Sequence, residues 1–148
     1  MKKTIAIILV LLIEVAKVLK ITKARERVKI NLTAVMAGND LCVVITGGEL
    51  PHIGAVALSL PRKSLSDPER LSSSTSVLTV LGHKEDTVAK KTAETLVTKL
   101  NKTVVVSCGI HLEEITSSEI NIVIELLEEI IEELIQTLTH DYCCNNLT

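Results

Sequence analysis

Three β-branched runs that stop at glycine constrain this chain more than any other feature. Leu41-Cys42-Val43-Val44-Ile45 precedes Gly47-Gly48, Thr75 to Leu81 precedes Gly82, and Thr103 to Cys108 precedes Gly109. Runs of this kind read as strands, and a terminal glycine supplies positive φ or a close backbone approach. The first is the most elaborate: Thr46-Gly47-Gly48-Glu49-Leu50-Pro51-His52-Ile53-Gly54 leads into a new apolar run, Ala55-Val56-Ala57-Leu58. Pro51 stiffens that loop and His52 gives it a titratable ring. A plain hairpin closes with two turn residues. The excess length points to a binding loop.

Other segments extend the pattern. Val28 to Val35 alternates apolar and polar residues, and Gly38-Asn39-Asp40 turns it into Leu41–Thr46 as an antiparallel hairpin. A further strand is predicted over Ala55 to Leu60, followed by an exposed loop from Pro61 to Ser74 that contains Pro68. After Gly82, the residues Val88, Ala89, Thr92, Leu96, Val97 and Leu100 share one helical face, and Glu85 or Asp86 suits the helix start. Thr116-Ser117-Ser118-Glu119 is a capping box opening a helix with Ile120, Val123, Ile124, Leu127, Ile130, Ile131, Leu134 and Leu138 at three/four spacing. Ile122, Leu126 and Ile135 widen this stripe beyond what one sheet face needs. The expected fold is α+β, a largely antiparallel sheet packed by helices.

A length of 148 residues suits a single domain, divided here into an N-terminal apolar and basic extension (1–27), a core (28–138) and a flexible tail (139–148). Trp and Phe are absent and Tyr142 is the only tyrosine, so base stacking is almost unavailable and nucleic acid is not an expected partner. Charge is unevenly placed: Lys17, Lys20, Lys23, Arg25, Arg27 and Lys29 are basic, whereas no Lys or Arg follows Lys102 and glutamates crowd 113–133. The basic stretch reads as a solvated face or as an intramolecular partner of the acidic helix. Lys2 and Lys3 before Ile5 to Ile13 imitate a signal peptide, but no small-x-small cleavage site follows and the run is too short to span a bilayer. It is expected to stay on the protein and pack into the fold, without stable membrane insertion. Cys42 and Cys108 in β runs, and Cys143 next to Cys144, show no zinc spacing and suit a cytoplasmic location.

The loops at the run ends carry the candidate chemistry: Gly47, Gly48, His52 and Gly54, then His83 and Lys84, then Gly109 and His111. Glycine turns form anion nests and a helix start adds donors, so a phosphate-bearing ligand suits this set, with Lys84 supplying charge. The alternative for Lys84 is an ordinary exposed lysine. Two histidines can also ligate a metal, but Glu49, Glu85, Asp86 and Glu113 stand at no diagnostic spacing, and no metal ligand is assigned. Ser107 near Cys108 and His111 lacks a nucleophile-elbow motif, and no catalytic residue is assigned. Residue by residue, the reading ends at a ligand-binding α+β domain with an anion-friendly loop.

In order, Val43-Val44-Ile45-Thr46-Gly47-Gly48, Pro51-His52-Ile53-Gly54, His83-Lys84, Gly109-Ile110-His111 and Ile115-Thr116 resemble the prenylated-flavin chaperones. These are the LpdD-like small third proteins of UbiD-like decarboxylase systems. The resemblance covers about Val28 to Leu138. It implies a homodimer with a fold similar to the proteasome assembly chaperones. It also implies a non-catalytic role: binding reduced prenylated FMN as cargo and delivering it to an apo UbiD-like decarboxylase. Without Phe or Trp, the isoalloxazine must rest on aliphatic, peptide or histidine surfaces, which suits easy release. The alternatives are an assembly chaperone or interaction module without a small-molecule ligand, acting through the apolar helix stripe, and a metal-dependent enzyme using His52 and His111.

Overall fold

Val28, Ile30, Leu32 and Ala34 are buried at alternate positions of strand β2 (Val28–Ala37), the two-residue period of a strand with one face in the core. The computed structural model describes residues 17–145, with side chains as far as 140. Around β2 lie β1 (Val18–Arg25), β3 (Asp40–Gly48), β4 (Ala55–Lys63), β5 (Leu71–Thr79) and β6 (Val104–His111). Helix α1 (Asp86–Leu100) precedes β6 and helix α2 (Ser117–Asn145) follows it. The strands form one sheet in the order β1-β2-β3-β6-β4-β5. Its neighbours are antiparallel except for β3 and β6, which run parallel with Gly48 opposite His111. The fold is therefore α+β with a largely antiparallel sheet, as the sequence implies.

Both helices bear on the sheet, α1 against β4, β5 and β6, and α2 against β1 and β2, while touching each other. Ile30, Leu32, Val43, Ile45, Val104 and Val106 meet Leu96, Leu126, Ile130 and Leu134 in the fully buried centre. Each such side chain contributes roughly 1.5–3 kcal/mol by leaving water. On the alternate positions of the sheet, Val44, Leu58, Leu60 and Leu78 are exposed.

Several boundaries differ from the sequence reading. The basic stretch placed in the extension is the edge strand β1, because its lysines mask the alternation of Leu19 and Ile21. Its charges meet the acidic helix: Lys23 Nζ lies 2.7 Å from Glu133, and Arg25 pairs with Glu125 and, at 2.7 Å, with Glu129. Strand β4 continues through Pro61 to Lys63, and β5 begins at Leu71, so the loop read over 61–74 shrinks to 64–70. Pro61 is tolerated because β6 pairs with β4 only as far as Ser59, leaving an edge position.

Helix α2 begins at the capping box. The Glu119 N–H donates to Thr116 Oγ1 (3.3 Å) and the Thr116 N–H donates to Glu119 Oε2 (2.8 Å). It continues to Asn145, through residues assigned to a flexible tail, since no glycine or proline follows Leu138 to stop it. The apolar run Ile5–Ile13 lies outside the described residues. Among the described residues no helix is long and apolar enough to cross a membrane.

Candidate functional site

Because β6 lies between β3 and β4, the chain leaving Gly48 must step across the end of β6 before starting β4. The length of the 49–54 loop follows from strand order. Two backbone bonds pin the crossing: Glu49 N–H donates to His111 O (2.8 Å) and Gly54 N–H to Cys108 O (2.9 Å). The glycines make room for it. A Cβ on Gly109 would fall 2.0 Å from His52 O, and one on Gly48, where φ is +75°, would fall 1.8 Å from His111 O. At Gly47 it would meet Ile30 Cδ1 at 2.6 Å and Lys29 O at 2.8 Å.

The crossing carries His52 to the start of α1. Glu85 occupies the N-cap of α1, and its carboxylate lies where a Cβ on Gly54 would be, 2.7 Å away. His52 Nε2 stands 3.0 Å from Glu85 Oε1 and 3.0 Å from His83 Nδ1, and His83 Nδ1 stands 3.5 Å from Glu85 Oε2. The two rings sit with centroids 4.5 Å apart. His52 Nδ1 is 3.0 Å from Leu50 O. A carbonyl only accepts, so Nδ1 donates there and the ring directs Nε2 at Glu85 and His83. Burial pushes the Glu85 carboxyl up, but backbone N–H donors of residues 85 and 84 and the His52 and His83 rings outweigh it and hold it below its ordinary value.

His111 forms the other wall. Its ring lies edge-on to His52 at 6.2 Å and its Nε2 is 3.2 Å from Glu113 Oε1. Behind it, Arg27 Nη1 donates to Glu49 Oε1 (3.0 Å) and Nη2 to Glu113 O (2.9 Å), while Glu49 Oε2 accepts from Glu113 N–H (2.9 Å). Arg27 also grips Glu119 through two bonds, Nε to Oε1 (2.5 Å) and Nη2 to Oε2 (3.0 Å). Those bonds, with the Thr116 N–H, hold the Glu119 carboxyl down to about 2. The turn between β1 and β2, the crossing loop and the start of α2 are thereby tied together.

The structure thus brings His52, His83 and His111 to one end of the sheet, with Gly48, Gly54 and Gly109 shaping the backbone beneath them. Lys84 is at that end too, exposed, its backbone N–H donating to Glu85 Oε2 (2.9 Å). His52 faces His83 and Glu85 more closely than His111, the partner considered from the sequence. No local signal marks Arg27 as a brace, or gives Glu85 a role beyond the helix start and one of several acids. Both act across distances along the chain that no local motif reveals. Nearby Cys108 is fully buried, and desolvation, with a smaller push from Glu85, raises its thiol to about 12, which leaves it inert. Apart from these groups, an apolar groove of about 470 Å³ runs between the helices, lined by Val88, Thr92, Ile124, Leu127, Ile131 and Ile135.

Imidazole, carboxylate and lysine side chains are thus gathered on loops at one end of an α+β sheet. Residues 24–139 match the prenylated flavin chaperone LpdD-like domain, and the chain belongs to that family. Among proteins of curated function, none matches this sequence. Of solved structures, the chain is similar to a subunit of a chaperone complex for yeast 20S proteasome assembly, at 14% identity and a TM-score of 0.48, covering 79% of this chain and 94% of that one.

Proposed function

We propose that this protein binds reduced prenylated FMN at the His52–His83–His111 end of the sheet and hands it to an apo UbiD-like decarboxylase, without catalysing a reaction itself. The observation that carries the reading is that these histidines, far apart in sequence, converge within the segment matched by a prenylated flavin chaperone family. Lys84 supplies an exposed positive charge for phosphate, and a charge-assisted bond of that kind contributes about 1.5–3 kcal/mol. The imidazoles of His52, His83 and His111 offer donors and acceptors to the flavin oxygens. Gly48, Gly54 and Gly109 leave the room that His111 O, the Glu85 carboxylate and His52 O fill, and so seat the histidines around the ligand, while Gly47 makes room for Ile30. With no Trp or Phe to stack on the ring, release is easy, as a carrier requires.

The protein acts as a homodimer in this reading, α2 contributing the exposed Ile120 and Ile124 to the contact. Light scattering at micromolar concentration then gives twice the chain mass of 16.1 kDa; a monomer mass removes the dimer from the account. The handover is tested by mixing chain preloaded anaerobically with reduced prenylated FMN and apo-decarboxylase. Activity returning faster than with free cofactor at equal concentration supports delivery, and equal rates contradict it.

A further inference from the structure

We infer that His52, His83 and Glu85 form a binding site for a divalent first-row transition metal ion of the zinc type. The three ligand atoms, His52 Nε2, His83 Nδ1 and one Glu85 carboxylate oxygen, all lie within 4.8 Å of one another. Bonds of about 2.0–2.1 Å in a tetrahedral shell put neighbouring ligand atoms about 3.3 Å apart. His52 Nε2 stands 3.0 Å from His83 Nδ1 and 3.0 Å from Glu85 Oε1, and His83 Nδ1 stands 3.5 Å from the other carboxylate oxygen, Oε2. A cation fits among these groups once the Glu85 carboxylate turns to present one oxygen to both rings.

Orientation is an independent argument. His52 Nδ1 lies 3.0 Å from Leu50 O, so Nδ1 donates there and the ring directs Nε2 at the cluster. Backbone carbonyls hold metal-ligating imidazoles in this manner, setting both tautomer and ring direction. His52 Nε2 is thereby set 3.0 Å from the Glu85 carboxylate and 3.0 Å from His83 Nδ1, where a metal ion takes the place of any proton held between them.

The cluster is built for access and rigidity together. The side chains of His52, His83 and Glu85 are 22%, 33% and 13% exposed, so an ion can enter, yet none projects freely into water. Glu85 is held by the Lys84 N–H and by the space that Gly54 leaves. Two imidazoles and a carboxylate suit zinc and its neighbours rather than magnesium or calcium, which prefer oxygen ligands. Three protein ligands leave at least one coordination position for water or an anionic ligand oxygen.

This inference does not rest on the flavin reading, and its test contains no flavin. Metal-free protein carrying Cys143→Ser and Cys144→Ser, so that the adjacent thiols do not compete, is titrated with Zn²⁺ by calorimetry and with Co²⁺ by visible absorption. The expected result is saturable binding of one ion per chain with the ligand-field bands of a low-coordinate Co²⁺ site. His83→Ala and Glu85→Gln each lower the affinity at least tenfold with the circular dichroism unchanged, while His140→Ala, far along α2, binds like the parent. Absence of saturable binding, or equal affinity in His83→Ala and Glu85→Gln, overturns the site.

Discussion

The carbonyl oxygen of His52 occupies the place that a side chain at residue 109 would need: a Cβ on Gly109 would lie 2.0 Å from it. One glycine therefore lets the 49–54 loop lie against β6, and the loop delivers His52 to His83 and Glu85. Gly109→Ala should push the loop off β6 and unseat His52. Overpacking of this kind costs about 1–3 kcal/mol. Urea unfolding of the variant should show a lower midpoint at unchanged slope, and a variant as stable as the parent would show that the loop yields without cost.

Arg27 and Glu119 predict an acid response. The Glu119 carboxyl is held down to about 2 in the folded protein, whereas an unfolded glutamate titrates near ~4.3. The unfolded state therefore takes up the proton first as pH falls. The stabilisation is complete above about 4.3 and is lost as pH drops toward 2. Thermal melts from pH 5 to pH 2 should show the parent losing stability more steeply than Glu119→Gln, which has no carboxyl there to protonate. Parallel curves would mean that the pair contributes nothing to folding.

Much of this architecture is legible in the sequence because the signals are local. The alternation in Val28–Val35, the turn at Gly38-Asn39 and the capping box Thr116–Glu119 each specify their element within a few residues, and the structure has them where they are read. Strand order is not local. Nothing near Gly48 says that β6, encoded after α1, will insert beside β3, so the crossing loop reads as surplus length when topology requires it. Edge strand β1 was hidden for a different reason, since charges at Lys20, Lys23 and Arg25 obscure its period. The three histidines were visible as loop residues. Their meeting with Glu85 depends on the insertion of β6, and that is why no motif spacing marks it.

Cys108 should be chemically silent despite its place beside the site. Burial raises its thiol to about 12, so almost no thiolate exists at neutral pH, while Cys42 is only half-buried. A thiol-specific alkylating reagent followed by peptide mass spectrometry should modify Cys42 before Cys108, and Cys108 only at the rate of global unfolding. Early labelling of Cys108 would mean that the crossing loop opens readily in the folded state.

Binding of the cargo is decisive. Reduced prenylated FMN is titrated anaerobically into the purified protein, and the bound fraction is read by flavin absorbance after rapid gel filtration. With no Trp and a single Tyr, the flavin dominates the spectrum. Saturable binding is expected, weakened about tenfold or more by Lys84→Ala, a loss of at least ~1.4 kcal/mol, and weakened further when His52→Ala is added. Protein that emerges from the column free of flavin at every concentration would contradict the account, and so would variants that retain flavin as well as the parent.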